Sequence, residues 1–131
     1  MPRDPRRANG SRRTATMRWL RAQARPCHIC GMPIDYGAQA GEPRAYECDE
    51  LVPVSRGGSP YDHGNVDAAH RCCNSWRGAK SMRTVERLRA LVLDRLGMWS
   101  SPEDFVARAK VVARDPRAGA DRCPARPTTD W

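Results

Sequence analysis

The chain has 131 residues, with 23 lysines and arginines against 15 aspartates and glutamates, a formal net charge of +8 and a single phenylalanine. This length allows one small domain and excludes two large cores, and a domain with so few large apolar residues often needs a metal or disulfide staple. The basic excess favours a polyanionic partner, because phosphates neutralised by basic side chains release condensed counterions. A bias of the coding sequence toward arginine is the alternative explanation.

The N-terminus has no continuous apolar stretch of the kind that forms a signal peptide or a membrane-spanning helix. We therefore expect a cytoplasmic protein without a membrane partner. In a reducing compartment, six cysteines in a short chain indicate a metal site sooner than disulfides.

In chain order, the sequence predicts a disordered basic arm, a short helix, a loop-rich stretch with two strand-like pieces, three helices and a disordered tail. These segments cover residues 1–13, 14–25, 27–64 (strand-like at 45–48 and 51–54), 66–77, 83–96, 102–114 and 115–131. Asn65 is a plausible N-cap for the first of the three helices. Gly97 is a typical helix end, and Ser101-Pro102 is a typical helix start.

Two pairs of metal-ligating residues lie far apart in the sequence. Cys27 and Cys30 form a C-x-x-C knuckle followed by Gly31, and His70 and Cys73 share one face of the predicted helix 66–77. Three thiolates and one imidazole make a tetrahedral structural zinc site. We predict zinc bound by these four residues, tying the loop-rich region to a helix.

The other cysteines are Cys48, Cys72 and Cys123, and small buried side chains or free thiols are their default state. Cys72 is the alternative to Cys73 as ligand, although its helical phase turns it away from His70. His28, between the two knuckle cysteines, is expected to be exposed. Unrelated buried cysteines, or a disulfide between some of them, are the alternative to zinc.

Between the two half-sites, residues 47–59 read ECDELVPVSRGGS, and Asn65 and the sequence AHRCCN at 69–74 follow. In this order the motif resembles the HNH endonuclease family, specifically its small cysteine-bearing phage-type members, over residues 27–80. The resemblance implies a small α+β fold with a ββα-metal core and a structural zinc. The domain would span 14–114, with supporting helices at 83–114 and disordered basic termini.

The resemblance also implies roles for four residues. Asp49 and Asn74 would bind a catalytic divalent cation, Mg²⁺, Mn²⁺ or similar, and Asn65 would hold the loop that carries the general base. The base position is Glu50, where family members usually have histidine. A carboxylate is a weaker base than imidazole by about two pKa units, so Glu50 acts either as a slower base or as a further oxygen ligand.

The function implied is hydrolysis of DNA phosphodiester bonds, with Arg56, Arg77 and Lys80 as candidate phosphate contacts. Solvated surface charge is the equal alternative for Arg77 and Lys80. A phage-encoded enzyme linked to DNA packaging beside a terminase is the expected setting, with homing or restriction-like cleavage as alternatives. Two rival functions are a catalytically impaired DNA-binding module and a zinc-stabilised interaction scaffold.

Overall fold

The computed structural model of this chain describes residues 10–115. The elements in this part are α1 (Gly10–Ala22), β1 (Tyr46–Glu50), β2 (Val66–His70), α2 (Arg71–Arg77), α3 (Met82–Leu96) and α4 (Pro102–Arg114). None of these helices combines the length and the apolar character needed to cross a membrane. Within residues 10–115, four helices and one two-stranded sheet make this the small α+β fold that the sequence predicts.

The two strands form an antiparallel pair joined by the long loop of residues 51–65. Tyr46 lies opposite His70 and Glu50 lies opposite Val66. α2 follows β2 directly and packs against both strands, so the local order is strand, loop, strand, helix. This order brings the end of β1 and the inner side of α2 close together.

Two elements predicted from the sequence in this region are wrong. Val66–His70 is a strand and not the first part of a helix, so the helix that carries Cys73 begins only at Arg71. A short apolar run fits both a helix and a strand, and pairing with β1 decides the outcome here. The strand-like piece at 51–54 is also absent, because Pro53 cannot donate to a sheet and a 3₁₀ turn begins at Val54.

α1 begins at Gly10, inside the segment predicted to be a disordered arm, and it ends before the predicted residue 25. Its inner side is anchored by the fully buried Leu20 and by Thr16, whose hydroxyl donates to the Tyr61 carbonyl at 2.6 Å. The rest of the predicted arm, residues 1–9, lies outside the described residues.

The predicted helices at the C-terminal side are confirmed, with small shifts of their ends. In α3 the Ser81 side chain accepts a hydrogen bond from the Thr84 amide, and Gly97 ends the helix with a φ of 80°. In α4 the Ser101 side chain caps the first turn and Pro102 occupies the first helical position. Apart from Asp115, the predicted tail lies outside the described residues, and so does Cys123.

The core lies between α3, α4 and the region around the two cysteine pairs. Phe105 is fully buried, with Trp76 and Trp99 packed edge-on at ring-centroid distances of 5.5 and 4.8 Å. Burial of one such ring contributes about 1.5–3 kcal/mol. The Trp99 indole N–H donates to the Cys30 carbonyl at 2.9 Å, which connects this core to the knuckle.

Candidate functional site

The four predicted zinc ligands converge in space. The ligand atoms of Cys27, Cys30, His70 and Cys73 all lie within 4.8 Å of one another, and all four residues are buried. Cys72, the alternative ligand, is only half-buried and lies outside this cluster. Cys73 and not Cys72 therefore lies with the other three predicted ligands, although His70 precedes α2 as its N-cap and is not inside the helix.

The spacing of the donor atoms fits a tetrahedral ion. His70 Nδ1 lies 3.4 Å from Cys30 Sγ and 3.8 Å from Cys73 Sγ. Zinc bonds of ordinary length to sulfur and nitrogen, at the tetrahedral angle, separate the two donors by about 3.6 Å. The observed distances bracket that value, so these two pairs of donor atoms already have the spacing that a zinc ion requires.

Hydrogen bonds around the cluster prepare its atoms for a metal. The Pro33 carbonyl lies 2.9 Å from His70 Nε2 and can only accept, so Nε2 donates to it and Nδ1 is the ring nitrogen that faces the thiols. Cys27 Sγ accepts from the backbone amides of Cys30 and His70 at 3.5 and 3.4 Å. Cys30 Sγ accepts from the Met32 amide at 3.5 Å. These donors favour thiolates, the form that binds metal.

The close approach of these four side chains also shifts their pKa values. Hydrogen bonds from Cys30 and then from Cys73 hold the pKa of the Cys27 thiol far below its usual value, and the pKa of Cys73 is raised in return. Burial opposes protonation of His70, but hydrogen bonds to Cys27 and Cys30 outweigh burial and raise its pKa to about 10. The cluster is thus a buried Cys₃His group that can bind a structural ion such as zinc.

Asp49, near the end of β1, is held by two neighbours. Arg77 Nη1 donates to Asp49 Oδ2 at 2.6 Å, and His28 Nε2 lies 2.8 Å from the same oxygen. The sequence prediction that His28 is exposed is wrong, since its side chain is 9% exposed. His28, one of the two residues between the knuckle cysteines, therefore belongs to the surroundings of Asp49.

Glu50, the last residue of β1, is buried and meets a side chain from α1. Arg13 Nη1 donates to Glu50 Oε2 at 3.0 Å and to the Pro60 carbonyl at 2.8 Å. The sequence alone places Arg13 in the disordered arm. In the structure it links α1, the 51–65 loop and the end of β1.

Asn65 closes the 51–65 loop with three hydrogen bonds. Its Nδ2 donates to the carbonyls of Val52 and Ser59, and its Oδ1 accepts from the Val52 amide, all at 2.9 Å. Gly58 lies directly beneath this contact, and a Cβ there would come within 1.7 Å of the Val52 carbonyl oxygen. The amide of Asn65 thus ties the start of the loop to its end.

Asn74, on α2, faces the same side of β1 as Asp49. Its Nδ2 donates to Glu47 Oε1 at 2.9 Å, and Glu47 and Asp49 are two residues apart on one strand, hence on one face. An open depression of about 260 Å³ is lined by side chains that include Arg13, Asp49, Glu50, Asn74 and Arg77. The structure therefore gathers three of the four predicted catalytic residues at one polar pocket, and Asn65 shapes the loop beside it.

The three predicted phosphate contacts are placed differently from one another. Arg77 is 1% exposed, and its guanidinium donates to Asp49 and to the carbonyls of Glu50, Leu51 and Lys80. Internal acceptors engage four of the five N–H groups of Arg77, so this side chain holds the end of β1, and its phosphate contact stays a prediction.

Arg56 is exposed and donates to the Ala79 carbonyl at 3.2 Å. Lys80 is half-buried, with its Nζ 2.8 Å from the Trp76 carbonyl and 4.8 Å above the Trp76 ring. Both cations are near the surface, where a polyanion reaches them.

Sequence reasoning missed Arg13, His28 and the internal role of Arg77. The motif assigns no role to either of the first two: Arg13 lies in a basic stretch before it, and His28 lies between two of its cysteines. Only the position of Arg77, three residues after Asn74 on α2, signals that it shares the side of the helix facing the site.

No protein-family model, curated protein or solved structure matches this chain. Within residues 10–115, the Cys₃His cluster is the only group of three or more His, Cys, Asp and Glu side chains whose ligand atoms converge. Functional assignment therefore depends on the polar pocket and the motif that forms it.

Proposed function

We propose that this protein is a metal-dependent HNH-type endonuclease that hydrolyses DNA phosphodiester bonds. The observation that carries the proposal is the meeting of Asp49 and Glu50 from β1 with Asn74 from α2 at one pocket. These residues are the ones that the motif marks as reactive, and they lie on a strand–loop–strand–helix unit. Beside it is a Cys₃His cluster that suits the structural zinc of such a unit.

Asp49 and Asn74 are the proposed ligands of the catalytic cation. Because Glu47 accepts from Asn74 Nδ2, the oxygen Oδ1 is the atom of that amide left for a cation. Both bonds to Asp49 use Oδ2, so Oδ1 is the oxygen of that carboxylate not engaged by Arg77 or His28. Oxygen donors of this kind suit hard ions such as Mg²⁺ or Mn²⁺. When bound, the ion supplies Lewis-acid polarisation of the scissile phosphate.

Glu50 is the proposed general base. Its carboxylate accepts the proton of a water that attacks phosphorus in line, and the 3′ oxygen leaves, giving a 5′ phosphate. Arg13 fixes the orientation of this carboxylate through a 3.0 Å contact with Oε2. General-base catalysis contributes typically 10²–10⁴-fold to rate.

The partner in this proposal is DNA, attracted by the net charge of +8 and contacted by Arg56 and Lys80. The motif resembles phage-type members, so the proposed setting is the host cytoplasm, in DNA packaging beside terminase subunits.

The second candidate is a DNA-binding module with impaired catalysis. It is favoured by the cationic partners that both carboxylates already have, Arg77 for Asp49 and Arg13 for Glu50. A cation entering the pocket competes with these guanidinium groups for the same oxygens.

Plasmid cleavage by the zinc-loaded protein tests the two candidates. With Mg²⁺, Mn²⁺ or Ni²⁺, we expect nicking by the wild type and a loss of about 10²-fold or more in Glu50→Ala. Glu42→Ala, an exposed glutamate away from the pocket, is the control that should cut like the wild type. A faster Glu50→His would assign residue 50 the role of base.

If the wild type fails to cut with every ion while Glu50→His cuts, the binding module is the correct assignment. If neither protein cuts and neither binds DNA, both candidates fail.

A further inference from the structure

A second depression, of about 730 Å³, lies between α2 and α4 on the far side of α2 from the polar pocket. Four cationic side chains line it, those of Arg71, Lys80, Lys110 and Arg114, together with Trp76. We call this surface the basic groove. Both lysines of the chain are in it, and no carboxylate of residues 10–115 lines it.

The α4 wall of the basic groove consists of residues that share one face of this helix. Val106, Lys110 and Arg114 follow one another at intervals of four residues, which places them on one face of α4. Phe105 and Ala109 face the core instead. The cations of this wall therefore point away from the packed side of the helix.

Lys110 and Arg114 differ from two other basic residues near the helix ends in their pairing with carboxylates. Arg108 pairs with Asp104 at 3.1 Å, and Arg95 pairs with Asp115 at 2.9 Å. In the described part of the chain, no carboxylate pairs with the exposed Lys110 or Arg114. Their charge is thus available to a ligand.

The α2 wall of the basic groove contributes two cations, Arg71 and Lys80, and the ring of Trp76. Lys80 Nζ lies 4.8 Å from the centroid of the Trp76 ring, and Arg71 is close enough to Glu47, at 3.6 Å, for a solvent-exposed ion pair. Exposed pairs of this kind contribute little and exchange readily for another anion. A groove with one sign of charge on both walls concentrates field lines and attracts a polyanion.

The basic groove and the polar pocket share α2. Arg71, Cys72, Ser75 and Trp76 line the groove, whereas Asn74 and Arg77 line the pocket. At 100° per residue these two sets occupy opposite sides of the helix. A helix with its side chains is about 10 Å across, and a B-form strand advances about 3.4 Å per nucleotide. A strand that crosses α2 from the pocket thus reaches the groove after about three nucleotides.

We infer that the basic groove binds the sugar-phosphate backbone of the DNA about three or more nucleotides from the bond that is cut. The choice of DNA rests on the proposed function, whereas the requirement for an extended polyanion rests on the four cations and their spacing.

Salt-dependent binding tests the inference without any cleavage. The paired substitution Lys110→Gln with Arg114→Gln removes two charges from one exposed face, and Arg18→Gln with Arg83→Gln removes two exposed charges from α1 and α3. Binding of a fluorescent DNA duplex is measured by anisotropy between 50 and 200 mM salt, without added divalent cation. Zinc content and thermal midpoint verify that each variant is folded.

We expect the slope of log affinity against log salt to fall by about 1.8 in the groove variant, because each lost phosphate contact removes about 0.9. Between 50 and 200 mM salt, the factor by which the groove variant loses affinity should then be about twelve times smaller than the factor for the wild type. The control pair should keep the wild-type slope. Equal slopes in the groove variant and the control, or no DNA binding by the wild type, would overturn the inference.

Competition identifies the occupant. Unlabelled DNA should displace the probe better than RNA or poly-glutamate at equal charge. Stronger displacement by RNA or by poly-glutamate would assign the groove to that polymer and overturn our choice of DNA. If the groove variant loses slope and the wild type never cuts a plasmid, the proposed nuclease function fails and the binding groove stands. If the wild type cuts and the groove variant keeps the wild-type slope, the groove inference fails and the nuclease function stands.

Discussion

Arg77 is the residue whose replacement should damage the domain most through polar contacts. Its guanidinium donates to Asp49 Oδ2 at 2.6 Å and to the carbonyls of Glu50 and Leu51 at 2.7 Å each, and Nε donates to the Lys80 carbonyl at 3.0 Å. Arg77→Met keeps the approximate length of the side chain and removes all of these donors. The buried carboxylate of Asp49 then retains only His28 as a partner.

The expected loss is large because Arg77 is 1% exposed and water does not replace its bonds. Removing one member of a buried ion pair costs about 3–5 kcal/mol, since the other charge stays buried. A domain of this size has about 5–15 kcal/mol of stability in total. Arg77→Met should therefore lose a large part of the free energy of unfolding. Arg77→Lys keeps one point charge but not the planar guanidinium, so its stability should lie between those of the wild type and Arg77→Met.

Urea unfolding of the zinc-loaded protein, followed by tryptophan fluorescence at one fixed zinc concentration, measures this loss. The zinc concentration must be constant because metal binding adds to the apparent stability. Arg56→Met is the matched control: Arg56 is exposed and makes a single 3.2 Å bond to the Ala79 carbonyl, so its loss should stay within about 0.5 kcal/mol. A cost for Arg77→Met below about 1 kcal/mol would refute the reasoning from a buried ion pair.

Two further predictions concern the Cys₃His cluster and the 51–65 loop. Cys73→Ala should lose bound zinc in a metal-content assay, whereas Cys72→Ala should retain it, because only Cys73 lies with the other ligands; loss of zinc in both variants would contradict the assignment. Gly58→Ala should lower the thermal midpoint, since its Cβ would stand 1.7 Å from the Val52 carbonyl oxygen and overpacking costs about 1–3 kcal/mol. Gly64→Ala, whose Cβ meets only Asp62 Oδ1 at 3.6 Å, should change the midpoint little, and equal shifts would show that the loop yields at Gly58.

The Cys₃His cluster was predictable because metal chemistry constrains both residue type and spacing. Cys27 and Cys30 carry their own signal, and His70 and Cys73 remain neighbours even though the helix between them starts later than predicted. His70 and Cys73 are three positions apart in the sequence, and they stay close in space whether or not His70 is itself helical. The ligand set is therefore insensitive to the error in secondary structure.

The strand β2 and the contacts of Arg13 could not be predicted from local patterns. Val66 and the alanines that follow it suit a helix and a strand equally, and their pairing partner β1 lies on the other side of a long loop. Arg13 resembles any other arginine in a basic segment. Its contact with Glu50 exists only because α1 packs over the 51–65 loop, which no short window of sequence contains.

The Cys₃His cluster and the polar pocket are adjacent along the chain as well as in space. Cys27 precedes His28, which contacts Asp49, and Cys73 precedes Asn74, which contacts Glu47. Consecutive Cα atoms are about 3.8 Å apart, so an ion bound by both cysteines fixes the backbone on two sides of the β1 carboxylates. A chain with one phenylalanine has little apolar core with which to hold these segments otherwise. We therefore expect an ion bound by this cluster to set the position of Asn74 relative to Asp49, and its removal by a chelator to disable the pocket before the helices α3 and α4 unfold.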